Sequence, residues 1–239
     1  MIRVTPIASG SSGNCYLIDD GKTKILIEAG IPIKRMQKGC DWMLSDVAGA
    51  LISHEHGDHA SHAQDLTKYG IDVYASSGTI EATQKTKYPL SGPLVHPIKA
   101  MQEIRIRTFE VLPFDVQHDA AEPLGFLIRS TKSGEKLLFF TDTYYIRYRF
   151  EGLNIIMAEC NYTMDQLLKN VADGITPAYR IQRLAKSHMS LETLEEMLQA
   201  NDLSRLKQIY LLHLSSDNSY EEVMKQEIQK LTGVEVYVC

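Results

Sequence analysis

The chain has 239 residues, of which 44% are apolar, enough to build one sizeable core or two small ones, and we expect a single domain over 1–239. A formal charge of -5 argues against a surface coated in basic groups for indiscriminate nucleic-acid binding, so any site for a polyanion must be local. No apolar run approaches the length of a membrane span, and Cys15, Cys40, Cys160 and Cys239 form no CxxC pair. We expect a soluble cytoplasmic protein with free thiols.

Short β-type runs open the chain: "IRVTPI" (2–7), "NCYLID" (14–19), "TKILIEA" (23–29) and "AGALIS" (48–53), separated by Gly/Ser or Asp-Gly turns. Segments 60–70 and 77–86 have helical composition, with "DVYA" (72–75) a short strand between them. Strands return with "LVHPI", "EIRIRTFEVLPF", "LGFLIRS" and "KLLFF" between 94 and 140, and "NIIMAEC" (154–160) is a buried strand by its continuous apolar run. Helices are expected at about 164–170, 177–186, 190–200 and 218–231, with strands at 207–213 and 234–238. Ser190 is the candidate N-cap of the third of these helices. This order suits two sheets packed face to face with helices outside, a four-layer αββα sandwich of the α/β class.

The stretch "LISHEHGDH" (51–59) crowds three histidines and two acids behind an apolar run. Such a cluster is costly to bury unless a cation or mutual hydrogen bonds compensate it. In an extended segment His54 and His56 point to one side. Gly57 then permits a tight turn that sends Asp58 and His59 elsewhere, so one loop can serve two metals. Imidazole with carboxylate suits zinc, manganese or iron.

Two metals need more ligands than this loop holds. His118 follows "EVLPFDVQ", Asp142 follows "KLLFF" and His213 follows "QIYLL". Alone, Asp142 reads better as a turn residue, and His118 and His213 read equally well as partly buried structural histidines. Only the joint pattern favours ligation. His62 and His96 lack motif context and are taken as ordinary surface or packing residues.

Together, His54, His56, Asp58 and His59, then His118, Asp142 and His213, resemble the successive metal motifs of the metallo-β-lactamase-fold hydrolases. The resemblance implies that His54, His56 and His118 hold one divalent ion and Asp58, His59 and His213 a second, with Asp142 bridging. Two such ions roughly 3.5 to 4 Å apart lower the pKa of a shared water to near 7, so the nucleophile is water-derived. Asp58 would orient it.

"SHMSLETLEEML…IYLLHLSSDNS" resembles the tail of the tRNase Z group and related nucleases, which implies that His188 protonates the leaving oxygen or holds the scissile phosphate. Otherwise His188 simply precedes a helix. The interval from Asp142 to His188 is too short for a β-CASP domain, and that from His118 to Asp142 leaves no room for a tRNA-gripping arm. The remaining likeness is to the YycJ (WalJ) group of bacterial single-domain proteins, carried by "SGSSGNCYLI" (9–18), "LISHEHGDH", "PFDVQHDAAEPLGFLI" (113–128), "FFTDT" (139–143), "AECNY" (158–162) and "HLSSDNS" (213–219). "AECNYT" and "SHMS" depart from that group's wording, so no role is assigned to Asn161 or Ser190.

"SGSSGN" can present backbone N–H groups and hydroxyls to a phosphate through Ser11 and Asn14, or be a turn between strands. Ser215 and Asn218 are equally polar and follow His213. Arg147 and Arg149 in "TYYIRYRF" (143–150), with Arg180, Arg183 and Lys186, can track a phosphate backbone while Tyr144, Tyr145 and Tyr148 stack bases. The same groups would also serve as a salt-bridged face.

The expected activity is that of a dinuclear-metal nuclease, a DNA exonuclease with nucleic acid as substrate and no membrane partner. The competing readings are hydrolysis of a small phosphodiester, thioester or lactone, and a non-catalytic metal-bound interaction protein.

Overall fold

A computed structural model describes residues 1–239. The chain forms two compact units, residues 1–115 with 120–135, and residues 116–119 with 136–239.

In the first unit, β1 (Arg3–Ala8), β2 (Cys15–Asp19), β3 (Lys24–Ile27), β4 (Val47–Leu51), β5 (Val73–Ser76) and β6 (Val95–Ile98) form a sheet in chain order. The first three are antiparallel and the rest parallel. Both edge strands carry a proline, Pro6 in β1 and Pro97 in β6, where a missing N–H costs no ladder bond. In β2 to β4 residues of both parities are buried, as continuous apolar runs require. Cys15, Leu17, Leu26, Ala50, Ile52, Val73 and Ala75 pack with Met36, Ala63 and Leu66 from the helices α1 (Ile33–Gly39) and α3 (Ala63–Thr67).

Three expectations for this unit are corrected. The 103–114 run is a hairpin, β7 (Ile104–Ile106) and β8 (Phe109–Asp115), because Arg107 turns the chain at φ 53°. β8 pairs in turn with β9 (Leu124–Ser130). The 60–70 helix is two pieces, α2 (Gly57–Ala60) and α3, broken where the His62 N–H donates to the Ala29 carbonyl at 2.9 Å. α1 was unforeseen, since it has seven residues and no capping side chain to announce it. α4 (Ser77–Thr83) falls where expected, capped by Ser76.

In the second unit β10 (Lys136–Phe140), β11 (Ile155–Glu159), β12 (Gln208–Leu212) and β13 (Glu235–Val238) are all parallel, in spatial order β13-β12-β11-β10. Helices α5 (Met164–Ala172), α6 (Tyr179–Ser187), α7 (Leu191–Gln199) and α8 (Glu221–Thr232) lie within two or three residues of their expected ranges. Ser190 caps α7 by accepting from the Thr193 N–H. Leu191, Leu194, Met197 and Leu198 give α7 one buried face. No helix is long and apolar enough to cross a membrane. All four cysteines are free, and burial pushes the Cys40 thiol up to about 11 and that of Cys239 to about 12, which keeps them protonated and unreactive.

Gly30 is the tightest backbone contact of the first unit. A Cβ on it would stand 1.7 Å from the Asp58 carbonyl oxygen, on backbone that cannot swing aside. Gly30→Ala should therefore lower stability by about 3 kcal/mol or more in urea unfolding. A midpoint equal to that of the unsubstituted chain would show that this contact does not hold the loop.

Candidate metal centre

Parallel strands present their carboxyl ends at one edge of a sheet, and all the candidate ligands but His118, which follows the antiparallel β8, come after such ends. In the first unit β4 runs into Ile52–His59. His54 is buried and His56 half-buried, and their ring nitrogens Nε2 and Nδ1 stand 3.1 Å apart. Ser53 Oγ lies 2.8 Å from the other nitrogen of His54 and fixes the ring. His56 occupies the N-cap position of α2, whose first turn carries Asp58 and His59. Gly57 does not take a left-handed conformation, and a Cβ there would meet open space, so the turn is the start of a helix and makes no demand on glycine.

His59 is fully buried, with Nε2 3.2 Å from Asp58 Oδ2 and Nδ1 3.6 Å from Glu28 Oε1. Glu28 is itself fully buried directly after β3, at φ 65°. Its Oε2 also accepts from the Ser53 N–H at 3.4 Å. The Glu28 carboxylate thus lies beside His59 and anchors the residue before His54 through the Ser53 N–H.

In the second unit β10 ends at Phe140 and Asp142 follows at φ 48°; β12 ends at Leu212 and His213 follows at φ 53°. Non-glycine residues rarely adopt these angles, and such strain persists where surrounding contacts impose it. His118 donates its Nδ1 proton to the Ser187 carbonyl at 3.1 Å, which leaves Nε2 as a lone pair facing Asp142 Oδ2 at 3.6 Å. The Gln117 N–H donates to Thr143 Oγ1 and the Tyr144 N–H to the Gln117 carbonyl, and so tie this arm to the Asp142 loop. His213 Nδ1 stands 3.4 Å from Asp142 Oδ1.

Ligands about 2.0 Å from a tetrahedral ion lie roughly 3.3 Å from one another. The pairs His54–His56, Asp58–His59, His118–Asp142 and His213–Asp142 stand 3.1 to 3.6 Å apart, with nitrogen and carboxylate donors that suit borderline divalent cations. In both units the donor set fits metal.

Glu159 is the residue that sequence reading passed over. It ends β11, is fully buried, and uses both oxygens: Oε1 faces His188 Nδ1 at 2.6 Å and His213 Nδ1 at 3.4 Å, while Oε2 accepts from the Thr143 and Met189 N–H groups at 2.9 and 3.2 Å. Burial raises the pKa of this carboxyl, but the His188 charge and its hydrogen bonds outweigh that and leave it lowered. Burial likewise works against His188, and the Glu159 carboxylate reverses the effect and raises its pKa. His188 stacks on His213 with ring centres 5.5 Å apart. Asn161 donates from Nδ2 to the His213 carbonyl at 2.7 Å, a positioning contact its departure from the family wording had left unassigned.

Among the expected substrate residues, Asn14 and Asn218 are buried. Asn14 is fully buried; its Oδ1 accepts from the Gly10 N–H, and its Nδ2 donates to the Asp58 carbonyl and lies 3.3 Å from His59 Nε2, so it clamps the ligand loop. Asn218 Oδ1 accepts from Asn170 and Thr176, and its backbone carbonyl accepts from the Thr163 N–H, so it knits the loop after β12 to α5. Both side chains are spent inside the fold. Ser11 and Arg183 are exposed, and Ser215 is half-buried with Oγ accepting from the Asn218 N–H. Tyr145, Arg147, Tyr148 and Arg149 line a cavity of about 230 Å³ against α7. His62 Nδ1 and His96 Nε2 lie within hydrogen-bond distance of the Asp65 and Asp72 carboxylates, at 3.0 and 2.6 Å.

A family model described as a β-lactamase superfamily domain matches residues 23–214. The chain is 30% identical to exodeoxyribonuclease YycJ of Bacillus anthracis, over 96% of this chain and 89% of that protein. It is 31% identical to exodeoxyribonuclease WalJ of Streptococcus pneumoniae, over 91% and 83%. Among solved structures, the metallo-β-lactamase fold protein YhfI of Bacillus subtilis aligns with a TM-score of 0.75 at 17% identity, covering 100% of this chain and 96% of that one. The short form of human tRNase Z aligns at 0.67 and 14%, covering 100% and 96%. The α/β sandwich expected from the order of elements is the fold of these relatives.

If Glu159 is what raises the His188 pKa, Glu159→Gln will fold with a stability loss of about 1–3 kcal/mol. The His188 pKa will then fall, because the charge that does most to oppose burial is gone. Ring-proton NMR titration reads this directly, and an unchanged His188 pKa would refute the assignment.

Proposed function

The chain belongs to the β-lactamase superfamily, with the metallo-β-lactamase fold of a metal-dependent hydrolase, and from that premise we propose that it is a dinuclear-metal nuclease acting on DNA as an exonuclease. The reading takes residues 1–239 as one functional domain. His54, His56, His118, Asp58, His59, His213 and Asp142 would hold the divalent ions, and zinc, manganese and iron all suit these donors. Such a pair of ions supplies Lewis acidity and a water activated near neutral pH.

The chain's own groups do the rest. Asp58 turns one oxygen toward His59 and keeps the other to orient the attacking water. His188, held through Nδ1 by Glu159, has Nε2 to give a proton to the leaving oxygen. Ser11, Ser215 and Arg183 remain as phosphate contacts. Arg147 and Arg149 with Tyr145 and Tyr148 offer cations and stacking surfaces for a strand beside Asp142.

The observation that carries the proposal is the His188–Glu159 pair next to the ligands Asp142 and His213. A buried acid and base poised to protonate an alkoxide suits a phosphodiester better than a thioester, whose thiolate leaves readily without a proton. The two curated relatives named as exodeoxyribonucleases support the substrate class.

Protein loaded with Mn²⁺ or Zn²⁺ should release nucleotides from 5′-phosphorylated single-stranded DNA. Asp142→Ala and His56→Ala should abolish release, while His188→Ala should slow it by about 10²- to 10⁴-fold with metal content intact. Turnover of a thioester with none on DNA would overturn the substrate assignment, and metal lost from the His188 variant would overturn that residue's role.

A further inference from the structure

The only tryptophan of the chain, Trp42, is 71% exposed. Its surroundings belong wholly to the first unit and to none of the groups assigned above. α1 ends in a Schellman arrangement: the Trp42 N–H donates to the Gln37 carbonyl at 2.7 Å and the Asp41 N–H to that of Lys38 at 3.1 Å. Asp41 takes the left-handed position at φ 53° that such a stop requires. The second residue of the motif usually turns inward to make an apolar contact. Here it is Trp42, which holds a second left-handed conformation at φ 63° and faces water. Two consecutive non-glycine residues in this region are strained, and the result is to display the indole.

Beside it, Lys34, Arg35 and Lys38 are exposed, and Lys38 stands three and four positions after the other two, so each of them neighbours it on the surface of α1. None of the three is paired with a carboxylate. Asp41 is the single acid from 33 to 43, in a chain whose net charge is negative. Gln37 donates from Nε2 to the hydroxyl of Tyr69 at 3.3 Å, and Tyr69 is 43% exposed, so a second aromatic joins the patch.

α1 is also fixed to the ligand loop. The Ala29 N–H donates to the His59 carbonyl at 2.8 Å, Gly30 lies against the Asp58 carbonyl, and the helix starts three residues later. Its seven residues span about 10 Å, and Trp42 lies three positions past its end. Unpaired cations in a row with exposed aromatics are the means by which proteins follow a single strand without reading its sequence.

We propose that Lys34, Arg35, Lys38, Trp42 and Tyr69 form a track for single-stranded DNA leading away from the ligand loop, with the Trp42 indole stacked on a base. The track deepens the nuclease reading and rests on it.

The test uses the Zn²⁺-loaded full chain and a phosphorothioate-linked oligothymidylate of about 15 nucleotides, which resists cleavage. No second indole contributes, so emission reports on Trp42 alone. Emission should be quenched saturably, with the midpoint given by anisotropy of an end-labelled strand. Trp42→Ala should weaken binding roughly tenfold. Lys34→Glu and Lys38→Glu should each make the salt dependence of log Kd shallower by about 0.7. Strand binding with unchanged Trp42 emission and unchanged affinity in Trp42→Ala overturns the track and leaves the nuclease reading standing. Failure to bind any strand, together with no nucleotide release by the loaded protein, overturns both.

Discussion

Two carboxylates without access to water, Glu28 in the first unit and Glu159 in the second, set the terms for the candidate ligands around each of them. A lone ionised carboxylate in such a place would cost several kcal/mol, so each must be satisfied by donors that cannot move away. Glu28 accepts the Ser53 N–H at one oxygen and sets the other 3.6 Å from the His59 ring, without a hydrogen bond. Glu159 gathers His188, His213 and two backbone N–H groups. Because each carboxylate ends or follows a buried strand, the sheet fixes its place, and the imidazoles inherit their positions from it.

The same logic accounts for the left-handed backbone at Glu28, Asp142 and His213. Each lies one or two residues past the end of a parallel strand, where the chain must leave the sheet and still aim a polar side chain along its edge. Glycine would relieve the strain at each position, but glycine has no ligand to offer. The cost is borne by the packing of β3, β10 and β12, whose residues are nearly all buried.

Glycine is required where no side chain is needed. Gly30 lets the segment after Glu28 press against the Asp58 carbonyl, and Asn14 closes the same contact from the other side with its amide. Asn14 and Asn218, which seemed suited to binding a ligand, are consumed by the loops that carry the ligands. An amide can satisfy donors and acceptors at once, so it suits the interior of a polar loop as well as its surface. In a sequence the two uses look alike.

Most of the strands were legible because continuous apolar runs bounded by Gly, Asp and Ser have one economical meaning, and β9 and β10 fall where their runs begin and end. The seven candidate metal ligands stand out in the sequence because histidine and aspartate crowded at strand ends are rare without a purpose. Glu28 and Glu159 announced themselves only as single acids closing "ILIE" and "IIMAE", a signal that becomes meaningful once burial is known. What tertiary structure alone decided was which polar groups face inward: whether Asn14 clamps or binds, whether His188 is held by a carboxylate, and whether Trp42 is core or display. Those outcomes depend on which donors meet which acceptors after the chain has folded, and spacing along the chain does not encode that meeting.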